Sequence, residues 1–217
     1  MQEPPFPPGS RVPPLRDASA VLDRIARRLA ARHGRAFSDA TIARYVEECA
    51  DLLGKSARVG NHLPVLVERF ADQRLAALAK ASGVARAVVP EVLFVCTENA
   101  GRSQLAAALL RHRAGAAVVV RTAGPEPGAE IAPVVRRLLA ERVLDVGDEF
   151  PKPLTAEVVA AADVVVTLGC GDACAVLPGR RYLDWELPDL SGLDLESARS
   201  VCAALDARVA VLLEELG

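Results

Sequence analysis

Cys96 and Arg102 stand six positions apart, with Thr97, Glu98, Asn99, Ala100 and Gly101 between them and Ser103 directly after. A turn of this composition can wrap backbone N–H groups around a tetrahedral oxyanion. The N-terminus of a following helix would add its positive end, and Arg102 a two-pronged guanidinium fork. A thiol at the centre of that potential is favoured as the thiolate, which is the nucleophilic form. The chemistry these residues suit is therefore attack by Cys96 on an oxyanion held by residues 97–103.

The spacing alone has little force, because it recurs from Cys174 to Arg180 and from Cys202 to Arg208. Context separates the three. The Cys202 copy lies inside a long helical pattern, and the Cys174 copy contains Pro178 with no helix signal behind it. Only the Cys96 copy follows an apolar run, Val92 to Val95, and precedes an alanine- and leucine-rich helical stretch, with Ser103 as a candidate cap.

Positioning that loop requires a scaffold, and the second part of the chain supplies a pattern for one. Strand-like runs at 92–95, 116–124, 162–169 and 180–185 alternate with helical patterns running from Ser103 to Leu110 and at 130–142, 155–162 and 195–216. This alternation predicts an α/β fold, a small four-stranded parallel sheet flanked by helices. In such a sheet the loops at the carboxyl ends of the strands share one crevice. Cys96 follows the first strand and Cys170 the third, in GCGDAC, so two thiols distant in sequence are expected at one sheet edge, with Cys174 four residues beyond.

The first part is all helical. A proline-rich arm precedes patterns at 18–32, 39–53 and 63–80, with Ser38 or Asp39 as a cap for the second. We place the domains at 1–84, arm and three-helix bundle, and 85–217, the α/β domain. A bundle this small is marginal alone, so it is expected to dock on the rest of the chain or on a second copy, the latter giving a homodimer through the bundle. Its arginines are interleaved with Asp23, Glu47, Glu48, Asp51, Glu68 and Asp72, as on a solvated face rather than a nucleic-acid surface.

Composition limits the alternatives. A formal net charge of -2 over 217 residues provides no global attraction to nucleic acid or membrane. No stretch has the roughly 20 apolar residues of a membrane span, and the first residues lack the apolar core of a secretory signal, so a cytoplasmic location is expected. Five cysteines, an odd number, suit thiol chemistry better than a disulfide framework. No zinc site is expected, since Cys170 and Cys174 have no second cysteine pair to complete one.

Three thiols exceed the needs of a hydrolase. With phosphate in the loop, attack gives a phosphocysteine that water must hydrolyse. With arsenate, a second thiol attacking Cys96 can expel arsenite and leave a disulfide. Cys170 would be that thiol, and Cys174 could move the disulfide outward to a reductant.

The segments CTENAGRSQLA, RTAGPEP, FPKPLT, DVVVTLGCGDAC and PGRRYLDWELPDLSG resemble the arsenate reductases built on the low-molecular-weight protein tyrosine phosphatase fold. Gln104, where the phosphatases typically have proline, and the GCGDAC loop resemble reductases. The N-terminal bundle resembles one fused to such reductases in actinobacteria. The resemblance implies that Cys96 is the nucleophile, that Arg102 and the loop amides hold the oxyanion, and that Asn99 braces the loop. It further implies that Ser103 donates to the Cys96 thiolate, that Cys170 and Cys174 resolve the adduct, and that Asp189 protonates the leaving oxygen.

Two features depart from that pattern: Leu190 stands where the family has proline after the acid, and the Cys170, Cys174 pair is closely spaced. The implied activity is arsenate reduction with thioredoxin as external reductant and no bound cofactor. Reduction by mycothiol or glutathione, phosphatase activity, and a thiol-based arsenic or redox sensor are the competing readings.

Overall fold

The computed structural model describes residues 18–55, 63–85, 88–169 and 176–216. The chain divides into two compact units, Met1–Ala71 and Asp72–Gly217.

In the first unit, α1 (Ala18–His33), α2 (Asp39–Gly54) and the opening turns of α3 (Leu63–Ala81) bury Ile25, Leu29, Ile42, Val46, Cys49, Val67 and Phe70. Ser38 caps α2, its hydroxyl accepting from the Thr41 N–H at 3.2 Å. Arg28 and Arg32 both reach Glu68, and Arg44 reaches Glu48 one turn along α2, so this arginine face is locally neutralised.

The division falls inside α3, not in the stretch after it. The last turns of the helix carry Arg74, Ala77 and Lys80 into the second unit. Ala77 is fully buried against Leu93, Val95 and Val165 of the sheet. Arg74 pairs with Glu157, and Lys80 donates to Asp163 at 2.6 Å. Arg121 bridges Glu91 at 2.8 Å and the Gln73 carbonyl at 3.0 Å. Helical periodicity continuing past the bundle gave no sign of this change of allegiance, because one face simply follows another around the same helix.

The second unit holds the four-stranded parallel sheet expected from the sequence, in the order β2 (Val119–Ala123), β1 (Glu91–Val95), β3 (Val164–Thr167), β4 (Arg181–Asp184). β1 is central and buried throughout, which explains its unbroken apolar run. Alternate residues serve opposite faces. Val92 and Phe94 join the cluster built with α4 (Arg102–Ala114), α5 (Pro133–Ala140) and α7 (Leu195–Leu216), while Leu93 and Val95 join the cluster with α6 (Ala156–Ala161). Pro133 starts α5 at its first turn, shortening the helix expected at 130–142. Among the described residues, no helix is long and apolar enough to cross a membrane.

Candidate active site

Register brings the pieces together. Val95 pairs with Ala123 and with Thr167, and Thr167 with Asp184, so the carboxyl ends of all four strands form one edge. The Cys96 loop leaves β1 there, Gly124 leaves β2, Gly169 follows β3, and the segment to Asp189 follows β4.

The loop itself is held from outside. The carbonyls of Thr97, Glu98 and Ala100 accept from the N–H groups of Glu126, Gly128 and Ala132 at 3.0, 2.8 and 2.9 Å. In a trans peptide the N–H points opposite to its C=O, so the N–H groups of Glu98 and Gly101 are aimed away from that supporting segment. Gly124 explains the glycine of RTAG: a Cβ there would lie 2.5 Å from the carbonyl oxygens of both Cys96 and Thr97 and 2.8 Å from the Asn99 nitrogen. The loop backbone rests on the bare α-carbon.

Cys96 is buried, and its Sγ lies 2.9 Å from the Ser103 hydroxyl. Ser103 is not the helix cap its position suggested. α4 begins at Arg102, with Gly101 in the cap position and no side-chain cap bond. Instead the Ser103 Oγ accepts from Asn99 Nδ2 at 3.0 Å, which leaves its single proton to donate to the Cys96 sulfur. Asn99, fully buried, has a left-handed backbone with φ 49°, a conformation that persists in a non-glycine residue where surrounding bonds over-determine it. Its Oδ1 accepts from the Lys152 N–H at 2.9 Å, and Gln104 Nε2 donates to its carbonyl at 3.0 Å.

Arg102 is likewise buried. Its Nη1 donates to the Leu187 carbonyl at 2.8 Å and its Nη2 to Asp189 Oδ2 at 2.6 Å. Among the described residues, its Nε is buried without a partner. An orphaned buried donor is costly, and an oxyanion oxygen in the loop is the acceptor that would satisfy it. Gly169, at φ 67°, packs against this guanidinium so closely that a Cβ would come within 2.7 Å of Nη1.

Asp189, which the resemblance casts as a proton donor, is here a partner of Arg102. Partial burial works to raise its carboxyl. The hydroxyl and N–H of Ser191, at 2.5 and 2.8 Å, and the Arg102 guanidinium outweigh that and hold it below the ordinary carboxylate range. As it stands it is an ionised acceptor.

Cys170 and Cys174 lie outside the described residues. The chain leads to them from Leu168, whose N–H donates to the Val95 carbonyl at 2.8 Å, beside Cys96. Cys202 is buried in α7, and burial pushes its thiol up. Gly124, Thr122, Glu149 and Lys152 were not singled out from the sequence. A glycine at a strand end is a signal for close backbone approach, but nothing local marks the other three. Among the described residues, no group of three or more His, Cys, Asp or Glu side chains could hold a metal ion.

A cysteine and an arginine bracketing a loop between the first strand and first helix of a parallel sheet define a thiol enzyme of the phosphatase type. The profile of the low molecular weight phosphotyrosine protein phosphatases matches residues 91–217, and the chain belongs to that family. The profile of a protein-tyrosine-phosphatase-like N-terminal domain matches residues 22–79.

Among solved structures, the chain is 46% identical to the thioredoxin-dependent arsenate reductase of Corynebacterium glutamicum, with TM-score 0.84, covering 91% of this chain and 97% of that one. An arsenate reductase solved in the phosphate-binding state is 26% identical, with TM-score 0.54, over 59% of this chain and all of that one. A glutaredoxin arsenate reductase of Synechocystis is 28% identical over 132 residues, 58% of this chain and 98% of that protein.

Proposed function

We propose that this protein reduces arsenate to arsenite, with Cys96 as nucleophile. The observation that carries the reading is the oxyanion cradle: the Cys96 sulfur beside the Ser103 hydroxyl, and a buried Arg102 whose Nε lacks an acceptor among the described residues. Likeness to the Corynebacterium glutamicum enzyme across nearly the whole chain selects arsenate from the oxyanions that would fit.

Arsenate enters between the loop amides and Arg102. The Cys96 thiolate attacks arsenic and a hydroxyl leaves as water. Cys170 then attacks the Cys96 sulfur; the new S–S bond forms as the S–As bond breaks with its electron pair on arsenic, releasing arsenite. Cys174 displaces Cys96 to give a Cys170–Cys174 disulfide, and the dithiol of thioredoxin returns it to two thiols. Two electrons pass from cysteine to arsenic, so no resident cofactor is required. Asp189 serves as acid only after an oxyanion has displaced it from Arg102.

A second reading keeps Cys96 as nucleophile and has a small thiol, mycothiol or glutathione, attack the arsenate adduct in place of Cys170; the Synechocystis relative is a glutaredoxin rather than a thioredoxin arsenate reductase. The three-helix bundle within 1–84 is proposed to dimerise the protein; light scattering of the full chain at the mass of a single 22.9 kDa copy would sink that idea.

The deciding experiment measures arsenite formed from arsenate with thioredoxin, thioredoxin reductase and NADPH. Turnover by the unaltered protein, abolished in Cys96→Ser, Cys170→Ser and Cys174→Ser, supports the relay. Silence until mycothiol is added, or full activity in the last two variants, refutes it.

A further inference from the structure

Beneath the oxyanion loop lies an ion pair that the reaction does not consume. Lys152 is 3% exposed and its ammonium pairs with Glu149. Glu149 also accepts from Arg111 Nη2 at 2.9 Å and from the Thr122 hydroxyl at 3.3 Å. Three elements therefore converge on one carboxylate: α4, β2 and the segment leading to Lys152. Burial works to raise the Glu149 carboxyl, but the Lys152 ammonium and the Arg111 guanidinium outweigh it and hold it ionised.

The same short segment reaches the loop. The Lys152 N–H donates to Asn99 Oδ1, and the Phe150 carbonyl accepts from Gln104, which in turn donates to Asn99. Thr122 stands between the two clusters, its hydroxyl 3.4 Å from Asn99 Oδ1. The amide orientation of Asn99 decides which way the Ser103 hydroxyl points, and that proton faces the Cys96 sulfur.

We propose that Glu149 and Lys152 are positioning residues for the Cys96 nucleophile, their buried ion pair anchoring the segment that fixes Asn99 and, through Ser103, the sulfur. The alternative is a pair that stabilises the fold and nothing else. The two differ in what happens when both charges are removed. Replacing a whole buried ion pair by neutral groups is often tolerated in stability, whereas deleting one partner strands the other. A stability role is therefore relieved in the double variant. A positioning role is not, because the hub tying α4, β2 and the Asn99 anchor is still missing.

The proposal rests on Cys96 being the nucleophile but not on arsenate being the substrate, so the test reads the thiol directly. Full-length protein is alkylated with iodoacetamide at neutral pH, the modified peptide containing Cys96 is followed by mass spectrometry, and melting temperature is measured in parallel. Lys152→Met and Glu149→Gln should slow Cys96 alkylation roughly ten- to hundredfold, the range that small displacements of reacting groups produce. The double variant should regain melting temperature while alkylation stays slow, and Lys152→Arg, which keeps the pair, should recover most of the rate. Recovery of the wild-type alkylation rate in the double variant, in step with its melting temperature, overturns the proposal. A wild-type Cys96 that iodoacetamide leaves untouched overturns the nucleophile reading and the proposal together.

Discussion

The Arg102 guanidinium donates to the Asp189 carboxylate at 2.6 Å, so the fork that would grip an oxyanion already holds an anion of the protein's own. Both residues hang from the same sheet edge, Arg102 after β1 and Asp189 after β4. An incoming oxyanion must compete with Asp189 for Nη2, while Nε has no acceptor among the described residues. Asp189→Asn should therefore bind inorganic phosphate or arsenate severalfold more tightly, and should turn over more slowly for want of a proton donor. Calorimetry with phosphate checks the first part and arsenite production the second. Weaker phosphate binding in the variant would refute the competition.

The Ser103 hydroxyl lies 2.9 Å from the sulfur of the nucleophile. Removing its hydroxyl in Ser103→Ala takes away a hydrogen bond to a charged group, of the kind that contributes about 1.5–3 kcal/mol. We expect kcat to fall roughly ten- to hundredfold with the arsenate KM nearly unchanged, because the oxyanion is gripped by other groups. Stopped-flow measurement of the first turnover separates that step from recycling by the reductant.

Gly124→Ala tests the contact between RTAG and the loop. A methyl group at 2.5 Å from two carbonyl oxygens must push the loop backbone aside, and overpacking of this kind costs about 1–3 kcal/mol. The melting temperature should fall and phosphate should no longer protect Cys96 from alkylation. Unchanged protection would show that the loop has room the structure does not display.

Lys80 joins the end of α3 to Asp163, and this pair predicts a pH dependence. Desolvation raises the Asp163 carboxyl, but the Lys80 ammonium and the Glu91 N–H outweigh it and hold the carboxyl below its ordinary value. A carboxyl depressed in the folded state adds stability above its unfolded pKa and loses it as pH falls through the folded one. Lys80→Met should thus lower the melting temperature at neutral pH, and the gap from wild type should close as the solution is acidified below the ordinary carboxylate range. A gap that persists in acid would mean that packing, not charge, holds the helix end.

A chain shortened to begin at residue 85 loses Arg74, Ala77 and Lys80, leaving Glu157 and Asp163 without those partners and Leu93, Val95 and Val165 without the cover of Ala77. It should melt well below a chain beginning at residue 72, as circular dichroism would show. Equal melting temperatures would deny the end of α3 any part in the second unit.

The sequence by itself determined the parallel sheet and the nature of the loop. Central strands buried on both faces must be continuously apolar, and a strand running into a small-residue turn and then a helix is written locally, in 92–110. Those neighbours alone distinguish Cys96 from Cys174 and Cys202. What tertiary structure alone decided is which groups meet across the sheet edge. Ser103 is a plausible cap in one dimension, yet its hydroxyl turns to Cys96 because Asn99 donates to it from across the loop. Asp189 looks like a free acid until β4 sets it against Arg102. Lys152, Glu149 and Thr122 carry no local signal, since their relation to Asn99 arises from the pairing of β1 with β2 and from a segment some fifty positions downstream. The end of α3 left the bundle for the sheet for the same reason: side-chain period reports that a helix has a buried face, and only packing says what buries it.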